Sequence, residues 1–185
     1  MRVISGKAKG TRLKAPKKGW KLRPLTDQAK EALFNILGRR VQNSVFLDLF
    51  AGTGAVGIEA LSRGAEIALL VEKNPLAVSL IRQNLELTKL SDRAEVYALD
   101  VLRALNLFEK KGAKFDLIFL GAPYDHPILE KTLGKIAEIN VLKDGALVMA
   151  EHRKQHRLAE AYGKLKLVRE ARYGETTLSF YEVKL

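Results

Sequence analysis

Residues 45–72, VFLDLFAGTGAVGIEALSRGAEIALLVE, narrow the folds open to this chain more than any other stretch. Val45, Phe46 and Leu47 form a compact apolar run that stops at Asp48, the pattern of a strand buried on both faces. Gly52, Gly54 and Gly57 follow, then a helical stretch, then Gly64 where a helix C-terminus favours positive φ. Ile67–Val71 is a second apolar run, closed by Glu72. Strand, tight turn, helix and strand in so short a span make a right-handed βαβ crossover whose first turn can hold a ligand. Read literally, residues 52–57 are G-x-G-x-x-G, with an acid twenty positions after Gly52. That pattern suits a dinucleotide or another adenosine-bearing ligand.

The alternation continues downstream. Asn74–Pro75 puts a capping side chain before a proline at the first helical position, and the helix reads to about Leu87 with Val78, Ile81 and Leu85 inward. Ala94–Ala98 reads as a third strand ending near Asp100, followed by a short helix to about Phe108. Phe115–Leu120 is a fourth strand that runs into Gly121–Ala122–Pro123–Tyr124. A helix over 127–139 leads to a fifth strand, Ala146–Ala150, and 152–162 reads as helix. Residues 165–173 and 176–184, joined at Gly174, predict an antiparallel hairpin on the edge of a mostly parallel sheet. Ahead of the first strand, Thr26 or Asp27 caps a helix to Leu37 with Ala29, Leu33, Ile36 and Leu37 as its apolar stripe and Phe34 off it. The expected architecture is an α/β, Rossmann-like doubly wound domain over 26–185, with residues 1–25 as its appendage.

Charge is distributed unevenly. The chain carries +11 overall, and residues 1–40 hold twelve Lys and Arg against Asp27 and Glu31, a net of +10. The remainder, with twenty basic and nineteen acidic side chains, nets +1. Such a concentration points to a polyanion partner. Val3, Ile4 and Leu13 read as a small basic β-hairpin around Ser5–Gly10, and an arm with so little to bury is expected to stay mobile until it meets that partner. No apolar run is long enough to span a bilayer, which excludes a transmembrane reading. Cysteine is absent, which excludes disulfides and thiolate metal sites and fits a reducing cytoplasm.

In open α/β sheets the ligand lies beyond the carboxyl ends of the strands. Asp48, Glu72, Asp100 and the 121–124 turn all stand there on successive strands. Glu72 is placed to accept from a ribose diol, and Asp100 to reach an adenine amino group. Asp48 would repel a pyrophosphate at the turn; it suits the ammonium or sulfonium of S-adenosylmethionine better than NAD. The plainer alternative is that each acid caps a turn or a helix. His152 and His156 stand four apart, but no third metal ligand is evident, and a solvated basic helix is the simpler reading.

MRVISGKAKGTRLKAP, RPLTDQAKEALFNIL, DLFAGTGAVGIEALSRGA, VEKN and RYGETTLSFYE together cover the length of the chain. In these segments the sequence resembles the class I S-adenosylmethionine-dependent methyltransferases, and within them the RsmD-like enzymes that methylate the exocyclic N2 of a guanine in 16S ribosomal RNA. The resemblance implies a seven-stranded sheet and a donor site at Asp48, Ala51, Gly52, Thr53, Gly54, Glu72, Lys73, Asp100 and Val101. It implies a catalytic turn at Ala122, Pro123 and Tyr124, with Tyr124 stacking on an extruded base. Arg2, Lys7, Lys9, Arg12 and Arg23 would hold RNA phosphates. The implied substrate is small-subunit ribosomal RNA or the 30S particle, acted on in the cytoplasm by a monomer without metal. One position departs from the family. Amino-methylating relatives carry Asp or Asn, then Pro, where this chain has Gly121–Ala122, so the side chain that orients the target amine is missing; Asp125 is a candidate substitute. Three alternatives stand beside this reading: a methyltransferase of another RNA or DNA amino group, a donor-binding assembly factor with weakened catalysis, and an NAD-dependent oxidoreductase, against which Asp48 and the basic arm argue.

Overall fold

In the computed structural model, which describes residues 1–184, the apolar runs at 45 and 67 become β1 (Val45–Leu49) and β2 (Ile67–Val71). They are joined by α2 (Ala55–Ser62), and α1 (Asp27–Leu37) precedes them. Then come α3 (Pro75–Thr88), β3 (Ala94–Tyr97), α4 (Val101–Lys110), β4 (Phe115–Leu120) and α5 (Ile128–Glu138). The chain closes with β5 (Leu142–Arg153), β6 (Ala161–Tyr162), β7 (Leu165–Tyr173) and β8 (Thr176–Val183).

One sheet contains all the strands, in the order β3-β2-β1-β4-β5-β8-β7-β6. The first five are parallel, and β8 runs antiparallel to β5 with β7 and β6 beyond it. Strand order reverses between β1 and β4, so the carboxyl ends of those strands open the crevice that this topology offers to ligands. Side chains alternate between faces along each strand. Phe46, Leu117 and Met149 pack with α1, α2 and α3 on one side, while Leu47, Leu49 and Ile118 pack with α4 and α5 on the other. The helix starts follow local chemistry: Thr26 Oγ1 accepts from Ala29 N at 3.2 Å, and Asn74 Oδ1 from Leu76 N at 2.9 Å.

Four sequence expectations change. Phe34, expected off the apolar stripe, is buried and stacks on Phe46 with ring centroids 6.3 Å apart, whereas Ile36 is half-buried. Residues 152 and 153 extend β5 instead of starting a helix, because the antiparallel ladder with β8 continues to Arg153 opposite Thr176. The buried His152 Nε2 lies 2.8 Å from Ser179 Oγ across that ladder. An eighth strand, the two-residue β6, adds to the seven expected.

The largest change concerns the basic arm. It forms a minimal hairpin, with a single antiparallel bridge between Arg2 and Arg12, and it is fastened to the domain. Val3 and Leu13 are buried in the same core as α1 and α2. Glu59, fully buried on α2, accepts from Ile4 N at 2.9 Å and Ser5 N at 3.0 Å. It also accepts from Arg63 Nε at 2.8 Å and lies 3.4 Å from Lys30 Nζ. Lys30 donates in turn to the Arg2 carbonyl at 2.7 Å, so this cation of the basic run is spent inside the protein. Burial lowers the Lys30 pKa, an effect that the carboxylates of Glu59 and Asp27 oppose. Anchored polar groups, invisible in the apolar pattern, thus add to the small apolar contribution of Val3, Ala8 and Leu13.

Gly6 marks where the arm meets α2. Its φ is +84°, and a Cβ there would lie 1.8 Å from the Ser62 carbonyl oxygen. Gly6→Ala is expected to undock the arm and to cost about 2–4 kcal/mol in urea denaturation, through overlap with a backbone atom that cannot yield. Gly10 has φ +85° and nothing within 4 Å of the same added atom. Gly10→Ala should therefore lose only about 1–2 kcal/mol of left-handed strain. Equal losses at the two sites would show that the close approach at Gly6 does not hold the arm.

Candidate active site

A crevice of about 510 Å³ opens at the carboxyl ends of β1, β2 and β4, within the range of small-molecule sites. Its floor is built by the β1–α2 turn. Asp48, the last polar group of β1, is 1% exposed, and its Oδ2 accepts from Gly57 N at 2.9 Å. Gly57 permits that approach: a Cβ there would lie 2.9 Å from Leu70 Cδ2 and 3.2 Å from the Asp48 carboxylate itself. Burial pushes the Asp48 carboxyl up to about 7, partly offset by the Gly57 bond and reinforced by the neighbouring charge of Glu72. Phe50, which also lines the crevice, has φ 62°. A bulky residue in that region stores strain of about 1–3 kcal/mol, held here by the bonds that fix the turn on either side.

Glu72 ties the two βα turns together. Its Oε2 accepts from Gly52 N and its Oε1 from Asn74 N, both at 2.9 Å. Asp100 caps α4, with Oδ1 accepting from Leu102 N at 3.0 Å. Each of the three acids does accept from turn or cap backbone, as the plainer alternative in the sequence expects. Each acid spends only part of its four acceptor positions on backbone, and all three acids line the crevice.

The other wall is the turn after β4. Ala122 is buried, Pro123 exposed and Tyr124 half-buried, and all three line the crevice. The Tyr124 hydroxyl donates to Glu151 Oε1 at 2.8 Å and lies 3.0 Å from Thr176 Oγ1 on β8. Burial, then the Glu151 charge, raises that phenol to about 12. The Arg23 guanidinium sits 4.3 Å from the Tyr124 ring centroid and that of Arg153 5.2 Å away, so the ring faces already carry cations. Residues 21–25 form part of the lining, bringing the basic segment to the mouth of the crevice.

Of the residues singled out in the sequence, Asp48, Ala51, Gly52, Thr53, Glu72, Lys73, Asp100, Val101, Ala122, Pro123, Tyr124 and Arg23 meet around this one space. Gly54 does not line it and faces Ile81 and Leu70 instead. Arg2, Lys7, Lys9 and Arg12 lie on the arm, away from the lining. Met1 links arm and turn through a 3.4 Å contact of its Sδ with Thr53 Oγ1. Asp125, the candidate substitute at the departed motif, is also outside the lining and pairs with Arg153 at 3.1 Å. Sequence reasoning missed Glu151, only 6% exposed, near the end of β5. Its signal was available, since it is one more acid at the carboxyl end of a parallel strand, like Asp48 and Glu72.

A doubly wound sheet with an antiparallel hairpin beyond β5, and an acid-edged crevice where strand order reverses, gives the chain the architecture of a Rossmann-like methyltransferase. Within that class, the chain belongs to the family described as conserved hypothetical protein 95, whose model matches residues 1–182. YlbH of Bacillus subtilis (strain 168), a putative rRNA methyltransferase by name, is 40% identical over 182 residues, covering 98% of each chain. Ribosomal RNA small subunit methyltransferase D of Escherichia coli (strain K12) is 31% identical over 98% of this chain and 89% of its own length. Among solved structures, a hypothetical protein of Thermus thermophilus superposes with a TM-score of 0.86 at 35% identity, covering 99% of both chains. No helix among the described residues is long and apolar enough to cross a membrane.

Proposed function

We propose that this protein transfers a methyl group from S-adenosylmethionine to the exocyclic N2 of a guanine in small-subunit ribosomal RNA. The observation that carries this reading is the meeting, in one crevice, of three strand-end acids with a Pro–Tyr turn under a basic segment. The name of the Escherichia coli relative supports the RNA assignment.

The residues present fit the donor. Asp48 offers a buried carboxylate with one oxygen uncommitted, a favourable neighbour for a cationic ligand and a poor one for a pyrophosphate. Glu72 and Asp100 retain acceptor capacity for ribose hydroxyls and an adenine amino group. Ala51, Gly52, Thr53, Lys73 and Val101 supply the remaining walls. Bound there, S-adenosylmethionine supplies an electrophilic methyl group on sulfur. The protein holds the target amine in line with it, so that the contribution is proximity and orientation. Tyr124 presents an aromatic face and Ala122 a main-chain carbonyl. Arg23, stacked on Tyr124, marks where a planar base would enter and would slide aside to a phosphate. Arg2, Lys7, Lys9 and Arg12 extend that path along the arm, for naked RNA or an assembled particle.

The test is tritiated methyl transfer to small-subunit RNA and to 30S particles from cells that lack the protein, followed by mapping of the labelled base. Label is expected on a guanine N2. With five cations at phosphates, RNA affinity should fall roughly a hundredfold or more between ~50 and ~200 mM salt. Donor binding without methyl incorporation into either substrate would favour an assembly factor. Flat salt dependence would remove the arm from the RNA path.

A further inference from the structure

Glu151 is an ionisable group that the reading above leaves without a task. It ends the parallel stretch of β5 beside the turn after β4, and its two carboxylate oxygens differ. Oε1 is held by the Tyr124 hydroxyl at 2.8 Å, which is itself braced by Thr176 Oγ1. Oε2 has no hydrogen-bond partner among the described residues, although the side chain is almost wholly buried and lines the crevice. Gly121 stands directly against that oxygen: a Cβ at Gly121 would lie 3.6 Å from Glu151 Oε2 and 3.1 Å from the Phe119 ring. A side chain at 121 would thus enter beside a carboxylate from the neighbouring strand, after a small shift of the Phe119 ring.

We propose that Glu151 Oε2 accepts the hydrogen bond from the amino group being methylated, in place of the side chain that Gly121 lacks. This rests on the amino-methyltransferase reading. A ring-bound amine has its lone pair delocalised, and an acceptor fixed on one N–H lets the nitrogen pyramidalise toward the methyl group. The N–C bond forms as the C–S bond breaks, sulfur keeps the electron pair, and the proton is then lost to water while Oε2 holds the amine in position. Two features suit Glu151 to this task. Its position is fixed by the Tyr124–Thr176 pair, so little reorganisation accompanies the transfer. Burial pushes its carboxyl up, while the Tyr124 hydrogen bond and the Arg23 charge oppose that and favour the anion. Asp125 cannot serve, being exposed and paired with Arg153.

The experiment moves the carboxylate from one strand end to the other. Glu151→Ala is expected to lower kcat on undermethylated RNA by roughly 10²–10³-fold, the usual loss of one preorganised partner, while the donor Kd from calorimetry changes less than about threefold. Glu151→Gln, which keeps an acceptor oxygen, should retain at least about tenfold more activity than the alanine variant. The double variant Gly121→Asp, Glu151→Ala should recover at least about tenfold over Glu151→Ala, and Gly121→Ala, Glu151→Ala should not. Tyr124→Phe separates a bracing role: it should cost less than Glu151→Ala. Wild-type activity in Glu151→Ala would overturn the proposal. So would glutamine no better than alanine, or failure of the double variant to recover while still binding donor. Failure of the underlying reading looks different, because the wild-type protein would then label no RNA amino group.

Discussion

Glu59→Ala is expected to destabilise the protein by about 3–5 kcal/mol, the cost of leaving a buried cation without its partner. Glu59 is fully buried on α2 and satisfies four groups at once: the amides of Ile4 and Ser5, Arg63 Nε, and the ammonium of Lys30. Its removal leaves Lys30, also fully buried, with only the Arg2 carbonyl and the more distant Asp27 carboxylate at 3.8 Å. Two arm amides lose their acceptor in the same stroke. Urea denaturation should show the midpoint shift, and hydrogen exchange should show protection lost first at Ile4, Ser5 and Ala8, since Ala8 N bonds Ser62 Oγ on the same helix. Glu59→Gln, which keeps an acceptor but not the charge, should fall between. A loss below about 1 kcal/mol would mean that Lys30 sheds its proton and that the network is held by packing alone.

Asp48→Asn is expected to strengthen the fold and weaken the donor site. The buried carboxyl titrates near 7 in the folded state, against an ordinary value of 3.8. Between those values the native state keeps a proton that the unfolded chain has released, so this group's contribution to stability falls as pH rises from about 4 to about 7 and is flat above. The gap between wild type and Asp48→Asn should open across that window and reach roughly 4 kcal/mol, while the amide oxygen keeps the Gly57 bond. Donor binding should run the other way. A cationic ligand beside Asp48 favours its ionised form, so wild-type affinity should decline about tenfold per pH unit below 7, and the asparagine variant should bind about a hundredfold more weakly at pH 8 without that slope. Calorimetry across pH checks both. Equal donor affinity in the two proteins would separate Asp48 from the ligand's charge.

These two residues also show what a sequence discloses. Asp48 was legible because an apolar run, an acid and spaced glycines encode a strand and its turn locally. Glu72 and Asp100 followed by the same strand-end logic. Glu59 and Lys30 were not, since each reads as part of a charged surface until the arm returns across α2. Glu151 was legible by the strand-end logic too, standing directly after the run Ala146–Ala150; what the helix-like composition of HRKQHRLAEAY hid is that pairing with β8 keeps 151–153 extended. Phe34 was misplaced because the helical period alone does not tell how wide an apolar face the sheet will cover. Local periodicity gave the elements; long-range polar pairing was visible only in the folded chain.

The bond between Tyr124 and Thr176 has a consequence for the order of events during synthesis. Every residue of the crevice floor, Asp48, Glu72 and Asp100, is made well before β8, and the parallel strands β1 to β4 pair without it. The opposite wall waits for the final hairpin, which braces Tyr124 through Thr176 and covers the open edge of β5. A nascent chain therefore lacks the partner that braces Tyr124 until its final hairpin has been made. On the proposed function, the wall that would present the target base gains its brace only with the last strand of the sheet.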